Sequence, residues 1–297
     1  MKLYKYMSYG NFEKFIDSGC VVFSNAQKFN DVFEVSNYFS ENLIIENESS
    51  FEKWLRPITN ISNSVILCLT RNPLNTLMWA HYADSHKGVV IGIDIYKTDM
   101  ILPEENILPA QFGNIIYTHT RPSNDILSKE NIANGYAQKI EFDLRNMEAL
   151  QRKYLYKSAE WAYEEEVRIV KHCNYSKFKK SEYYQSFSLM ELPFNSVVEI
   201  YFGINFEKNK MKKDTYVKLT SKYKNLALKQ CSLNLKGWNL LPISLSENDF
   251  IANEEDDKEW VPIKVSSFDL IIMKSKEKLR GIIKFMQRKT RRNCSGK

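Results

Sequence analysis

Glycine and proline are scarce in this sequence, with 10 Gly and 8 Pro among 297 residues. This scarcity excludes collagen-like and low-complexity chains. Long hydrophobic runs are also missing, because no apolar stretch approaches the roughly 18 residues of a membrane-spanning helix. The N-terminal stretch MKLYKYMSYGNFEKF lacks the uninterrupted apolar core of a secretory signal. We therefore expect a protein of the cytoplasm without a membrane span.

Cysteine and histidine are few and scattered. The five cysteines include no Cys-x-x-Cys pair, and the four histidines form no tight cluster with them. A structural zinc site and a disulfide framework are therefore not expected. The sequence also lacks the G-x-G-x-x-G and Walker A patterns, so neither of these glycine-rich phosphate cradles is indicated.

The positive charge is concentrated at one end of the chain. The formal net charge is +6, yet residues 274–297 contain ten Lys or Arg and one acid, Glu277, which leaves −3 for the remainder. A mildly acidic body argues against a nucleic-acid footprint across the whole surface. A contact between the basic tail and a polyanion stays open as an alternative.

Short strand and helix patterns alternate irregularly along the chain, which predicts an α+β fold around one core. The clearest buried strand is SVILCLT, residues 64–70. An early helix is predicted with Asn11 as its N-cap and Gly19 at its end. We predict that residues 1–245 form a core domain of mixed, short-stranded sheets with flanking helices. Residues 246–297 are predicted to form an acidic loop and a basic amphipathic helix or tail, packed on that core.

Three adjacent glutamates lie in the stretch WAYEEEVRIV, residues 161–170. Glutamate is a poor strand former, and adjacent carboxylates repel each other. If the stretch is a strand, alternation places Glu164, Glu166 and Arg168 on one face and Glu165 on the other. Side chains two positions apart on one face lie roughly 7 Å apart, which suits two carboxylates acting on one ligand. The alternative is a helix end with solvated acids.

Several stretches of the sequence carry distinctive motifs. They are LYKY at the start, FSNAQKFNDVFE at 23–34, LMWAHYADSHKGVVIGID at 77–94, WAYEEEVR at 161–168 and VVEIYFGINF at 197–206. In combination they resemble the bacterial family called domain of unknown function 2971, from residue 1 to about 245. The family usually has Pro after Asn-Asp, where this chain has Val32. The resemblance implies a bacterial or phage source and no settled activity.

A looser resemblance suggests a chemistry. LYKYMSYGNFEKFIDSGCVVFSN is similar to the opening of ADP-ribosyltransferases, with Lys5 where those enzymes carry His or Arg. Thr70 lies near the place of their Ser or Thr, although the Ser-Thr-Ser motif is missing. YEEEVRIV resembles their final Glu-x-Glu strand, which Glu164 and Glu166 would supply. The resemblance implies an ADP-ribosyltransferase-like core that uses NAD as a substrate.

The same resemblance implies roles for individual residues. Glu166 would stabilise the ribosyl cation formed when the glycosidic bond of NAD breaks, and Glu164 would orient the ribose or the acceptor. The expected cofactor-binding residues are Lys5, Tyr6, Thr70, Trp79, Tyr82 and Arg168. Trp79 or Tyr82 would stack on nicotinamide, although aromatics one helical turn apart also fit core packing. The acceptor is unspecified, protein or nucleic acid, and a toxin or phage-defence effector is the biological hypothesis.

Two other functions stay open. Asn30, Asp31 and Glu34 are further candidates, and Asn30-Asp31 is typical of a turn. Asp31 and Glu34 would alternatively join Glu164 and Glu166 to hold a divalent metal in a nuclease, with the basic tail on nucleic acid. The third hypothesis is a non-catalytic binding or sensor module whose acids are structural.

Overall fold

The computed structural model describes residues 1–31, 33, 64–121, 141–179, 187–207, 213–246 and 249–250. The chain divides into two compact units, Met1–Ile251 and Ala252–Lys297, and all the described residues belong to the first. Glu34 and nearly all of the predicted C-terminal segment, residues 246–297, lie outside the described residues. In the described ranges, no helix combines the length and the apolar character needed to cross a membrane.

The described residues form twelve strands and four α-helices, joined by short 3-10 helices. The strands are β1 (Lys2–Met7), β2 (Cys20–Ser24), β3 (Ser64–Thr70), β4 (Val89–Asp94), β5 (Ile116–Thr118), β6 (Tyr156–Ser158), β7 (Glu166–His172), β8 (Phe178–Lys179), β9 (Phe187–Glu191), β10 (Val197–Phe202), β11 (Ala227–Leu233) and β12 (Leu240–Ser244). The α-helices are α1 (Tyr9–Ser18), α2 (Thr76–Tyr82), α3 (Met147–Tyr154) and α4 (Lys213–Lys222). The 3-10 helices are Ala26–Lys28, Ile95–Lys97, Asp99–Ile101, Pro103–Glu105, Ala110–Phe112, Leu144–Asn146 and Ala159–Glu164.

Ten of the described strands form one mixed sheet, and β5 and β6 pair in parallel beside it. The order along the large sheet is β12-β11-β10-β4-β1-β3-β2-β9-β8, with β7 paired to β3. Within it β10 and β11 run parallel, whereas the other described neighbours are antiparallel. A mixed sheet with separate helices confirms the predicted α+β class.

Both faces of the central strands are buried. Alternation along β1 sends Leu3 to one face, where it joins a hydrophobic cluster that includes Phe12 of α1. Tyr4 and Tyr6 point to the other face and pack with Trp79 of α2. This two-sided burial explains why the central strands read as near-continuous apolar runs in the sequence.

Helix α1 begins earlier than the sequence predicts. Its N-cap is Ser8, whose side chain accepts a hydrogen bond from the backbone N–H of Asn11 at 3.4 Å. The prediction that Asn11 is the cap is therefore wrong, because Asn11 already lies in the first turn. The predicted end at Gly19 is confirmed, since Gly19 has φ 70° and its N–H bonds to the carbonyl of Phe15.

The glutamate segment is a strand only in its second half. Residues Ala159–Glu164 form a 3-10 helix that Ser158 caps, and Glu165 has a left-handed backbone with φ 46°. Strand β7 then starts at Glu166. The predicted strand over 161–165 is thus wrong, because the αL residue interrupts the two-residue alternation between the two acids.

Strand β3 is the junction of the large sheet. β7 pairs with it along the whole of Ser64–Thr70 and so occupies one edge. β1 and β2 must share the other edge, β1 at the pair Tyr4–Thr70 and β2 at the pair Ser24–Ile66. Between these two pairs no described strand lies on that edge, and a gap opens in the sheet.

Candidate functional site

A cavity of about 210 Å³ lies at the gap beside β3. Its walls come from β1, β2, residues 28–31, β3, α2, β6, β7 and the 3-10 helix that precedes β7. The structure brings nearly all the predicted site residues to this cavity: Lys5, Tyr6, Asn30, Asp31, Thr70, Tyr82, Glu164, Glu166 and Arg168. Segments far apart in the chain therefore meet at one place.

Glu164 and Glu166 are joined by a lysine that the sequence had not indicated. The Nζ of Lys157 lies 2.5 Å from Glu164 Oε2 and 3.0 Å from Glu166 Oε2. All three side chains are buried, with at most 7% of each exposed. The two carboxylates are held side by side because both bond the same buried ammonium.

Arg168 fixes the second acid from the same strand. Its Nε donates to Glu166 Oε1 at 2.9 Å and its Nη2 donates to Oε2 at 3.1 Å, a bidentate pair. Its Nη1 donates to the carbonyl of Tyr154 at 2.7 Å. The predicted shared face of Glu166 and Arg168 is therefore confirmed within β7.

Burial by itself would raise the pKa of Glu166. The charges of Arg168 and Lys157, and hydrogen bonds from Arg168 and Cys68, outweigh burial and hold that pKa well below its ordinary value of 4.5. Glu166 is thus a carboxylate, not a carboxylic acid, at every pH near neutrality. A general-acid role for this residue does not fit the geometry.

Tyr82 reaches Glu164 from the end of α2. Its hydroxyl donates to Glu164 Oε1 at 2.6 Å. Burial, followed by the hydrogen bond and charge of Glu164, raises the pKa of Tyr82 well above its ordinary value of 10.0. Asn75 holds the start of the same helix, since its Oδ1 caps α2 and its Nδ2 donates to the carbonyl of Tyr163 at 2.7 Å. The helix and the 3-10 turn are thereby tied together.

Lys5 occupies the gap itself. Its Nζ donates to the backbone carbonyl of Cys68 at 2.9 Å, at the part of the β3 edge between the two strand pairs. A lysine in this position supplies a positive charge to the cavity and bonds a backbone carbonyl of β3. The ionised side chains that line the cavity are the cations Lys5, Lys28, Lys157 and Arg168 and the acids Asp31, Glu164 and Glu166. The balance slightly favours an anionic ligand.

Tyr6 and Thr70 line the cavity, but their hydroxyls are used inside the protein. Tyr6 donates to the carbonyl of Asn72 at 2.9 Å and accepts from the N–H of Asn75 at 3.2 Å. Thr70 Oγ1 accepts from the N–H of Asn72 at 3.2 Å. These two residues hold the turn between β3 and α2, and any contact with a ligand would come from their remaining surface.

Trp79 does not line the cavity. It is 0% exposed, its ring packs edge-on against Tyr6 at 5.3 Å, and its Nε1 donates to the carbonyl of Pro73 at 2.9 Å. The prediction that Trp79 contacts the cofactor is therefore corrected: its ring fills the core behind α2, as the packing alternative expected.

The Asn30-Asp31 turn lies at the cavity, whereas Glu34 lies outside the described residues. Asp31 Oδ1 accepts a hydrogen bond from the N–H of Phe33 at 2.9 Å, which is the turn chemistry that the sequence predicts. Among the described residues, no group of three or more His, Cys, Asp or Glu is arranged to hold a metal ion. Lys157 and Arg168 already bond the oxygens that the nuclease hypothesis would assign to a metal.

Lys157, Trp161 and Cys68 are cavity residues that sequence reasoning missed. Lys157 Nζ lies 5.1 Å from the ring centre of Trp161, a cation–π arrangement. Lys157 belongs to a different strand from Glu166, and a 3-10 helix and an αL residue separate them, so no periodicity connects the two. The one signal in the sequence for Lys157 was its closeness to the three adjacent glutamates.

Comparison with known proteins supports one of the two resemblances. The model of the family described as "Protein of unknown function (DUF2971)" matches residues 78–169. This confirms the resemblance read from the motifs within that range, which contains Tyr82, Glu164 and Glu166, while its extension over residues 1–245 stays a prediction. No curated protein and no solved structure matches the chain. The likeness to ADP-ribosyltransferases therefore also stays a prediction.

Proposed function

We propose, on the premise that residues 78–169 belong to the DUF2971 family of proteins of unknown function, that this chain is a cytoplasmic NAD-using enzyme of the ADP-ribosyltransferase type. One observation carries the proposal. Lys5 of β1, Tyr82 of α2 and the acids Glu164 and Glu166 converge on a single cavity. These are the residues that the loose resemblance singled out from segments far apart in the chain. A bacterial or phage conflict effector is the biological setting that we propose with it.

The chemistry begins with the bond between ribose C1′ and the nicotinamide nitrogen. When it breaks, the bonding electron pair leaves with nicotinamide, and positive charge develops on the ribose ring. An ionised Glu166 would stabilise that charge, because a fixed, buried carboxylate acts more strongly than one in solvent. Its bidentate bond with Arg168 supports this role by fixing the carboxylate in place.

The second half of the reaction needs a nucleophile at C1′. A hydroxyl or amine of the acceptor, or water, attacks the ribosyl cation and gives up a proton. Glu164 would orient this nucleophile and accept the proton, directly or through Tyr82, which bonds it at 2.6 Å. Transfer to an acceptor and simple hydrolysis of NAD use the same residues, and the identity of the nucleophile distinguishes them.

The size of the cavity limits which part of NAD it would enclose. At about 210 Å³ it is smaller than the roughly 300–1,000 Å³ typical of sites that enclose a whole drug-sized ligand. We therefore assign the nicotinamide–ribose end to the cavity. The pyrophosphate would lie toward Lys5 and the exposed Lys28, which supply positive point charges.

The test is turnover of NAD by the purified full-length chain. Released nicotinamide is measured by chromatography, and label transfer from NAD is measured in cell extract. Glu166→Gln should lower nicotinamide release by roughly 100- to 1,000-fold, the cost of removing one preorganised electrostatic group. Glu160→Gln is the matched control, because Glu160 is an exposed glutamate on the 3-10 helix that precedes β7. It should leave the rate unchanged.

A second variant guards against a folding defect in Glu166→Gln. Tyr82→Phe removes only the hydroxyl that bonds Glu164, and Glu164 keeps its bond to Lys157. This variant should fold normally and turn over NAD more slowly. The proposal fails if the wild-type chain neither releases nicotinamide nor transfers label at any NAD concentration tested.

A non-catalytic binding or sensor module is the second candidate, and one observation favours it. Both carboxylate oxygens of Glu166 are already bonded, by Arg168 and Lys157, as in a structural ion-pair network. If the chain is such a module, titration calorimetry would detect the binding of NAD, and the NAD would not be consumed. Glu166→Gln would then leave the affinity unchanged, and the wild-type chain would release no nicotinamide, which the enzyme proposal does not expect.

A further inference from the structure

One side chain that lines the cavity carries a buried polar atom without a partner. Six described side chains carry a buried nitrogen or oxygen without a hydrogen bond, and of these only Asp31 lines the cavity. The side chain of Asp31 is buried, with 6% of the residue exposed, and its unpartnered atom is Oδ2. Buried polar groups in folded proteins are nearly always bonded, so this exception calls for an explanation.

The two oxygens of Asp31 have different surroundings. Oδ1 accepts the N–H of Phe33 at 2.9 Å and so closes the turn. Oδ2 takes no part in that turn, and a hydroxyl at this position would suffice for the turn alone. The turn therefore does not need Oδ2. A carboxylate oxygen only accepts hydrogen bonds, so the group that completes it must be a donor.

We propose that Asp31 is a specificity-determining residue that accepts a hydrogen bond from an N–H or O–H group of the bound nucleotide. This inference rests on the proposed function, because the nucleotide in question is NAD. Two groups at the nicotinamide–ribose end carry such donors, the carboxamide and the ribose hydroxyls. A ligand that places a carboxylate there would be repelled, because two carboxylates carry the same charge and neither can donate a hydrogen bond to the other.

The experiment measures binding by titration calorimetry with the full-length chain. The ligands are NAD, its nicotinic acid analogue, which lacks the amide N–H groups, and an analogue that lacks a hydroxyl on the nicotinamide ribose. Asp31→Asn and Asp31→Ser remove the surplus acceptor while keeping an oxygen for the turn. Asp84→Asn is the control, because Asp84 is exposed and its φ of 48° suits Asn.

Both Asp31 variants should bind NAD about 10- to 100-fold more weakly, and the control should bind as the wild type does. If the carboxamide is Asp31's partner, the nicotinic acid analogue should bind the Asp31 variants more tightly than the wild type, because its carboxylate is repelled by Asp31. If the ribose hydroxyl is the partner, the analogue that lacks it should bind the wild type and the Asp31 variants equally. That pattern distinguishes the carboxamide from the ribose hydroxyl. Equal NAD affinity in the wild type and both Asp31 variants would overturn the inference.

A ligand-free measurement separates this inference from the proposed function. If the wild-type chain does not bind NAD, the proposed function fails, and Asp31 is then decided by thermal unfolding of Asp31→Ser. A melting temperature equal to or above that of the wild type would support a surplus oxygen that serves a ligand. A melting temperature several degrees lower would mean that Oδ2 has a structural partner, and the inference would be wrong.

Discussion

Lys157 is the residue on which the two site acids depend, so Lys157→Met is the most informative perturbation of this site. Methionine keeps much of the length of the side chain and removes its charge. Glu164 would retain the bond from Tyr82, and Glu166 would retain those from Arg168. The two buried carboxylates would then face each other without the shared ammonium.

The magnitude follows from burial and distance. Lys157 lies 2.5 Å from one acid and 3.0 Å from the other, and its side chain is 7% exposed. Removing one partner of a buried ion pair costs about 3–5 kcal/mol, because the remaining charge stays desolvated. We expect the lower end, about 3 kcal/mol, since each acid keeps at least one other donor. With a urea dependence of about 3 kcal/mol/M, the unfolding midpoint should fall by about 1 M.

The assay is urea unfolding followed by tryptophan fluorescence at neutral pH. Lys87→Met is the control, because Lys87 is an exposed lysine whose loss should change the free energy of unfolding by less than about 0.5 kcal/mol. If Lys157→Met unfolds at the same urea concentration as the control, the three charges do not form a coupled buried network, and the account of this site is wrong.

Two further predictions concern strand β7. The pKa of Glu166 is depressed in the folded chain, so its contribution to stability should be complete above about pH 4.5 and be lost as the pH falls toward its folded pKa. Urea midpoints measured from about pH 7 to about pH 3 should fall more steeply for the wild type than for Glu166→Gln, and equal slopes would contradict this. Gly113→Ala should destabilise β7 by at least about 1–3 kcal/mol, because the added Cβ would lie 1.8 Å from the carbonyl oxygen of Arg168. Gly10→Ala, where nothing lies within 4 Å of the added Cβ, should lose no stability in the same urea series.

Local patterns in the sequence were enough for much of the fold. The apolar run at 64–70 predicts β3 because both faces of that strand are buried. Gly19 marks the end of α1 because the left-handed backbone there favours a residue without Cβ. The candidate acids could also be named, since carboxylates next to an apolar strand stand out by residue type alone. These are properties of neighbours in the chain.

The arrangement of the site was decided by tertiary structure. Alternation predicted that Glu164 and Glu166 share a face, but they come together through Lys157 and an αL residue at Glu165. Lys5 meets the carbonyl of Cys68 because two strands leave a gap on one edge of β3, which depends on pairing between distant segments. Periodicity in a sequence tells which side chains are buried, but not which charged or polar group lies opposite them. The partners are set when distant segments close on one another.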